Sequence, residues 1–540
     1  MAIPDTSEEL TASIIEAGHS DGSSLHEILN ELQQLKTRDP DKCSDVLEPL
    51  AVIPALMHVP PSDDIAGILV FVAQSTSPKE CVLALAEELE RLCAELQLWI
   101  VEERDDDDNR EGERNFQRLV VVIRCFTEAA HRMTLRKRTL ADTCKPWIAL
   151  IDQATRLCLE ANILTRPTAV QLLDVISSFV MSIDAWGEHL DVSEDDRRTT
   201  RVTLADLLRN ILENIYPLLR PSLALRLYEA QNARLILRSG VPNGWEPDDA
   251  AIQNVATAYS TVLGSCTSPP VFGTLVLFAH SGTIPVTLAT LTPFLPLIIA
   301  HLRMNHSPDA PLALLLRFIS SITGSDELPD DLTSTLIPLL APLSAIHPHP
   351  PTRLLLFRGL LSPLITRTRP HLRLVLLADL VSDADDAPPQ LRVAAIGLAR
   401  AEIVQALRSG KDSLLASPHV MQVLAPVILR PSPPNLFETK INAEEFVQTP
   451  EPARLTEALL FYFVVLNADE QNKTGIRDAD SLKSVERDLL KPLRERIPKW
   501  IAELDNDDSH GHDHGHAAMA LAGVETALER VDEVRKRLSA

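Results

Sequence analysis

The chain has 540 residues, a formal net charge of −24, and a composition that is 45% hydrophobic but only 4% aromatic. A surface that acidic repels phosphate backbones and argues against general nucleic-acid binding; it suits basic partners, and it also serves solubility. The chain has 18 glycines and few aromatics, which argues against a turn-rich all-β fold. Its 39 prolines, many at breaks such as Pro60–Pro61, Pro269–Pro270 and Pro431–Pro434, suit many short helices.

Residues 1–20 show no strong pattern and read as a loosely ordered N-terminus. Ser24 then precedes Leu25, Ile28, Leu29 and Leu32, an amphipathic first helix with a plausible N-cap. Helices follow around Asp64–Ala73 and Pro78–Val101. The run Glu102–Arg114 is almost wholly charged and reads as a solvated loop. Helical spacing resumes at Phe116–Met133, Pro146–Leu164, Thr168–Trp186, Thr200–Leu219 and Leu223–Arg238, with Gly240 placed for a left-handed C-cap. The turn-rich stretch Val241–Asp249 marks a boundary, so 21–240 forms a first block of helical repeats.

No Asp, Glu, Lys or Arg occurs between Asp249 and Arg303, and Thr283–Ala300 is long enough to span a bilayer. Pro285, Pro293 and Pro296 would break the hydrogen bonding that a lipid-exposed helix must complete, so the expectation is the buried middle of a solenoid and no membrane contact.

From 250 to 430 the chain repeats one short unit: a leucine-rich helix, a polar or proline break, then another helix. In the clearest copy, Leu372–Ile403, the residues Leu372, Val375, Leu376 and Leu380 share one face. Asp383, Asp385 and Asp386 form a polar turn, and Pro388–Pro389 open a second helix, where a missing backbone donor costs little. Leu391, Ala394, Ala395 and Leu398 face the first helix. Such pairs bury their apolar sides only by stacking on neighbours, which predicts an all-α solenoid of HEAT or armadillo type.

After the break Pro431–Pro450, residues 451–504 read as C-terminal helices around the polar turn Asn467–Asp480. Residues 505–517 read as a His- and Asp-rich linker, and 518–540 as a tail helix. In that helix Leu521, Val524, Leu528, Val531 and Leu538 lie near heptad spacing, with Arg535 interrupting the seam. Docking on the solenoid or free projection is the expectation for it, and pairing with a partner helix the alternative.

Chemistry-bearing motifs are sparse. The seven cysteines make no C-x-x-C pair, and most sit in apolar helical patterns, where a thiol behaves as a small hydrophobe. Their odd number and the absence of a signal-like start point to a reducing compartment. Cys266, in a Ser/Thr/Pro stretch, is the candidate for an exposed thiol. His510, His512, His514 and His516 alternate in a Gly- and Asp-rich run; without fixed second partners they suit only weak, adventitious metal binding. Ser409–Ser413 lacks the upstream glycine and preceding strand of a phosphate loop and reads as a helix–helix turn. No catalytic residue, cofactor or structural metal is expected.

The segment Ala458–Leu493 carries more information. Its apolar helix before Asn467, its turn Asn472-Lys473-Thr474-Gly475-Ile476 and its closing Leu489-Leu490-Lys491-Pro492-Leu493 resemble the C-terminal region of the glomulin and YAP-binding protein family. Leu223–Gly240 and Pro269–Gly282 resemble that family's middle region, so the likeness would extend over about residues 20–500. The resemblance implies a HEAT-like, non-enzymatic adaptor. Its protein partner would be the RING subunit of a cullin-RING ubiquitin ligase, whose E2-docking surface it masks, or a bZIP transcription factor of the oxidative stress response. Arg454, Glu457, Lys473 and Arg477, in and near the polar turn, are the candidate partner-binding residues. A cytoplasmic or nuclear setting follows from the same resemblance. The rival readings are a redox-signalling cofactor using a reactive cysteine and a general transport or assembly scaffold.

Overall fold

The computed structural model describes residues 6–19, 23–39, 42–43, 46–101, 109–135, 137–232, 246–263, 270–282, 285–305, 307–322, 326–382, 388–409, 413–438, 441–505 and 512–539. Among the described residues every regular element is a helix, and the fold is an all-α solenoid of stacked helix pairs. The chain divides into two compact units, residues 1–301 with 305–314, and residues 302–304 with 315–540.

In the first unit alternate helices stack in two rows. One row runs Pro49–Met57, Pro78–Val101, Leu140–Glu160, Glu194–Ile215 and Phe272–Ser281; the other runs Ser23–Arg38, Asp63–Ser75, Asn109–Ala130, Arg166–His189 and Glu246–Leu263. Each helix touches the next in its own row, and most also pack on the neighbour that follows in sequence, which is how a repeat that cannot close its own core is satisfied. Side-chain caps set the starts. Ser62 accepts from the Ile65 N–H, Thr139 from Asp142 and Ser193 from Asp196, each from a donor the helix itself leaves unpaired. The core between the rows is aliphatic: Leu85, Leu89, Ile123, Ile151, Leu172, Ile176, Leu208 and Ile211 are all essentially inaccessible, each worth about 1.5–3 kcal/mol of burial. Buried ion pairs add register. Asp248 takes the Arg166 guanidinium at 2.8 Å and the Arg220 N–H at 2.7 Å, and Asp184 takes Arg201 at 2.7 Å.

Several expectations need correction here. Ser7–His19 is a helix with Leu10, Ile14 and Ala17 buried, where a loosely ordered start was expected; three apolar residues at helical spacing suffice once a neighbouring helix covers them. The charged run 102–114 does not stay a loop to its end, because helix Asn109–Ala130 begins within it; residues 102–108 lie outside the described residues. Helix Leu223–Gln231 is shorter than predicted, and Gly240 lies outside the described residues. The observed left-handed glycine cap is Gly282, at φ 63°, closing Phe272–Ser281. The uncharged stretch after it is not a buried middle: Val286, Leu291 and Ile298 are buried, but Leu288 is exposed and so are Pro293 and Pro296. Among the described residues, the helix that is long and apolar enough to cross a membrane is Arg166–His189, and it is a core helix of the first unit.

In the second unit the predicted pair is present as Pro370–Val381 and Pro389–Ser409, packed on one another. Its second face is as expected at Leu391, Ala395 and Leu398. Its first face is shifted: Leu376 is buried as expected, but Leu374, Leu377 and Val381 are buried with it and Val375 is 54% exposed. In a helix where nearly every position is apolar, spacing alone does not fix the phase. The turn residues Asp383, Asp385 and Asp386 lie outside the described residues. Pro389–Ser409 packs in turn on Glu451–Ala468, tied by Arg400–Glu457 at 2.7 Å, and Glu451–Ala468 carries the last helix, His512–Ser539, on its other side. The tail helix therefore docks, and it starts within the expected 505–517 linker.

Candidate functional site

The polar turn that carries the family resemblance is a self-satisfied knot. At the end of Glu451–Ala468 the buried Asp469 carboxylate accepts from the N–H groups of Lys473 and Thr474 and from the Thr474 hydroxyl, each at 2.7 Å. Asn472 (φ 55°) and Gly475 (φ 72°) take left-handed backbone, which lets the chain reverse twice in a few residues. Asn472 uses both ends of its amide, accepting from the Arg477 N–H at 2.8 Å and donating to Asp478 at 2.7 Å. The Arg477 guanidinium folds back onto the carbonyl oxygens of Leu466 and Glu470.

This geometry sorts the four candidate residues. Arg454 is 2% exposed and is spent inside, on Glu451 and on the carbonyls of Ile428 and Arg430, so it braces the surface from beneath. Glu457 is held by Arg400. Arg477 is committed to the knot, with part of its side chain at the surface. Lys473 is half-buried, and its ammonium group has no ion pair among the described residues. The structure thus leaves one of the four with a disengaged charge.

Beside the knot lies a cleft of about 220 Å³. Its floor is apolar, made by Met421, Ala425, Leu429, Ile476 and Val485, and its rim is polar, with Gln422, Ser481 and Ser484. Tyr462 also lines it; the phenol is fully buried, its oxygen has no hydrogen-bond partner among the described residues, and burial pushes it up to about 12. An apolar floor ringed by hydroxyl and amide groups is built to accept a side chain or short segment and to fix its orientation. A wider groove of about 630 Å³ shares Arg430 and Asp488 with this cleft and continues along helix Lys491–Asp505. Sequence reasoning passed over that groove. Its signal was the basic spacing Arg487, Lys491, Lys499 in an otherwise acidic chain.

The remaining motifs do not assemble a site. Among the described residues no group of three His, Cys, Asp or Glu is placed to hold a metal. His510 lies outside the described residues, His512 and His514 open the last helix, and His516 is exposed on it. The cysteines 43, 81, 93, 125, 144 and 158 are all buried free thiols. Burial pushes Cys93 up to about 11 and Cys144 and Cys158 up to about 12, the reverse of an activated thiolate. Cys266 and residues 410–412 of the phosphate-loop-like turn lie outside the described residues.

No curated protein matches the chain. A family model does, that of the uncharacterised protein family YAP/Alf4/glomulin, over residues 305–534. The matched stretch contains the repeat pair, the knot, both concavities and most of the docked tail helix; Leu223–Gly240 and Pro269–Gly282, which share the likeness, fall outside it. Over residues 305–534, this chain is similar to the YAP/Alf4/glomulin family.

Proposed function

We propose that the chain is a non-enzymatic protein-binding adaptor or inhibitor that acts by covering a partner's docking surface. The family match over residues 305–534 supports a protein-binding adaptor role and is the observation that carries the reading. Its physical counterpart is the preformed apolar cleft beside a rigid turn, in which a partner's anchor side chain can be buried within a polar rim.

The partner we propose is the RING subunit of a cullin-RING ubiquitin ligase, met in the cytoplasm or nucleus. The test uses purified full-length chain and purified RING–cullin complex, with ubiquitin discharge from a charged E2 as readout. Expected is saturable binding and inhibition that a competing excess of E2 relieves. Absence of binding at micromolar concentrations would remove the RING partner. A net charge of −24 favours a second reading, in which the partner is the basic region of a bZIP stress-response factor. The described cysteines lend no support to a redox role, since all are buried with raised thiols.

A further inference from the structure

The groove along helix Lys491–Asp505 differs in charge from the chain that carries it. Five basic residues line it, Arg430, Arg487, Lys491, Arg496 and Lys499, against Glu438, Asp488 and Glu495, in a chain of net charge −24. Asp488 is already neutralised by Arg487 at 2.6 Å. Lys491 and Lys499 are exposed, and neither has an ion pair among the described residues. They stand eight residues apart on one helix face, roughly 12 Å along the axis at 1.5 Å per residue. Glu495 lies midway between them on that face.

The opposite wall is apolar and fixed. Pro431, Pro434 and Phe437 form it. Arg496 donates to the Phe437 carbonyl at 2.8 Å, and the Trp500 indole donates to Ile441 at 3.2 Å. Trp500 also stacks on Phe446 with ring centroids 4.1 Å apart. The wall is thus clamped to the helix before any ligand arrives, so little ordering is left for binding to impose.

We propose that this groove docks an extended acidic segment of a protein partner, with carboxylates at positions i and i+4 and apolar residues at i+1 and i+3. Four extended residues span about 13 Å, which matches the separation of the two lysines. Glu495 excludes a carboxylate from the middle of the groove, and Phe437 and the prolines receive the apolar side chains there. The proposal rests on the protein-binding reading and gives the groove its own ligand chemistry.

The experiment uses full-length protein and a fluorescein-labelled nine-residue peptide with glutamates at its third and seventh positions and leucine at its fourth and sixth, which alternation turns to the opposite wall. Fluorescence anisotropy is read for wild type, for Lys491→Glu with Lys499→Glu, and for a matched peptide with both glutamates replaced by glutamine. Expected is binding to wild type that weakens with salt, and at least a roughly tenfold loss for either the charge-reversed protein or the glutamine peptide. Circular dichroism of the double variant should be unchanged, since both lysines are exposed. Equal binding of the two peptides, equal binding by the two proteins, or tighter binding of a labelled single-stranded oligonucleotide would overturn the proposal. RING binding is measured on the same proteins. A wild type that takes the peptide and no RING subunit keeps the groove and loses the RING reading; one that binds RING and not the peptide does the opposite.

Discussion

Arg454 and Glu451 stand one helical turn apart and pair through two hydrogen bonds, Nε to Oε1 at 2.5 Å and Nη2 to Oε2 at 2.8 Å, with neither side chain more than 5% exposed. The pair reaches beyond itself. Arg454 also satisfies the carbonyls of Ile428 and Arg430, where helix Pro418–Ile428 ends, and Glu451 accepts the Ser432 N–H at 3.2 Å. One buried guanidinium therefore ties the end of one helix to the start of another and sets the wall that both concavities share.

Removing it leaves a buried carboxylate and two carbonyl groups without partners. Arg454→Ala should cost about 3–5 kcal/mol, the range for breaking a buried pair from one side. The double change Arg454→Met with Glu451→Gln should cost clearly less, because no net charge is left uncompensated. Urea unfolding midpoints of the three proteins check this. A loss below about 1 kcal/mol for Arg454→Ala would mean that water reaches the pair.

A second carboxylate, half-buried in the first unit, gives that unit a pH dependence. Asp309 is half-buried and accepts from the N–H groups of Leu223 at 3.1 Å and Ala224 at 3.0 Å, capping helix Leu223–Gln231. Burial outweighs those bonds and pushes its carboxyl up to about 7, with the nearby Asp249 adding to the rise. A group raised on folding holds more protons in the native state between its unfolded value of 3.8 and about 7. Its contribution is complete below the lower value and is lost as pH climbs through the upper one. Asp249 is shifted in the same direction, chiefly by burial, and reinforces the trend. The thermal midpoint should therefore fall between about pH 4 and pH 7, and Asp309→Asn should flatten that slope. An unchanged slope in the variant would assign the pH dependence elsewhere.

How much of this was legible follows from what each signal depends on. Helix pairing from Leu372 to Ile403 was readable because proline, aspartate and leucine alternate at the scale of one hairpin. The phase of its first helix was not, since Leu374, Val375, Leu376 and Leu377 are equivalent as letters and only the neighbouring helix chooses among them. The knot at Asp469–Asp478 was recognised as a polar turn, but the sequence could not say that Arg477 folds back onto Leu466 or that Arg454 is interior. Charge on a helix reads as surface, and an arginine that meets carbonyl groups from a distant segment looks no different from one that meets water. The basic groove was missed for the opposite reason: its two walls, Pro431–Glu438 and Arg487–Lys499, are separated in sequence and become one surface only through the Arg496 and Trp500 clamps.

The docked tail helix gives the last prediction. Leu521, Val524, Ala527, Leu528, Val531 and Val534 are buried, and the helix packs chiefly on Glu451–Ala468. Arg535, which breaks the heptad seam, is not a flaw in it: its guanidinium reaches Glu486, and Arg494 bridges the same Glu486 to Asp532 of the tail helix. Those charges are a fifth to a third exposed, so screening keeps their share small and the apolar seam dominates. Arg535→Ala should accordingly shift stability by no more than about 1 kcal/mol. Val531→Asp places an unpaired carboxylate in the seam and should release the helix, at a cost of several kcal/mol. Hydrogen exchange resolves the two cases. In wild type and in Arg535→Ala the amides of His512–Ser539 should be protected, and in Val531→Asp they should exchange rapidly while those of Pro389–Ser409 stay slow. Rapid exchange of the tail in wild type would show that the seam does not hold it, and the apolar face of Glu451–Ala468 would then be open to a partner.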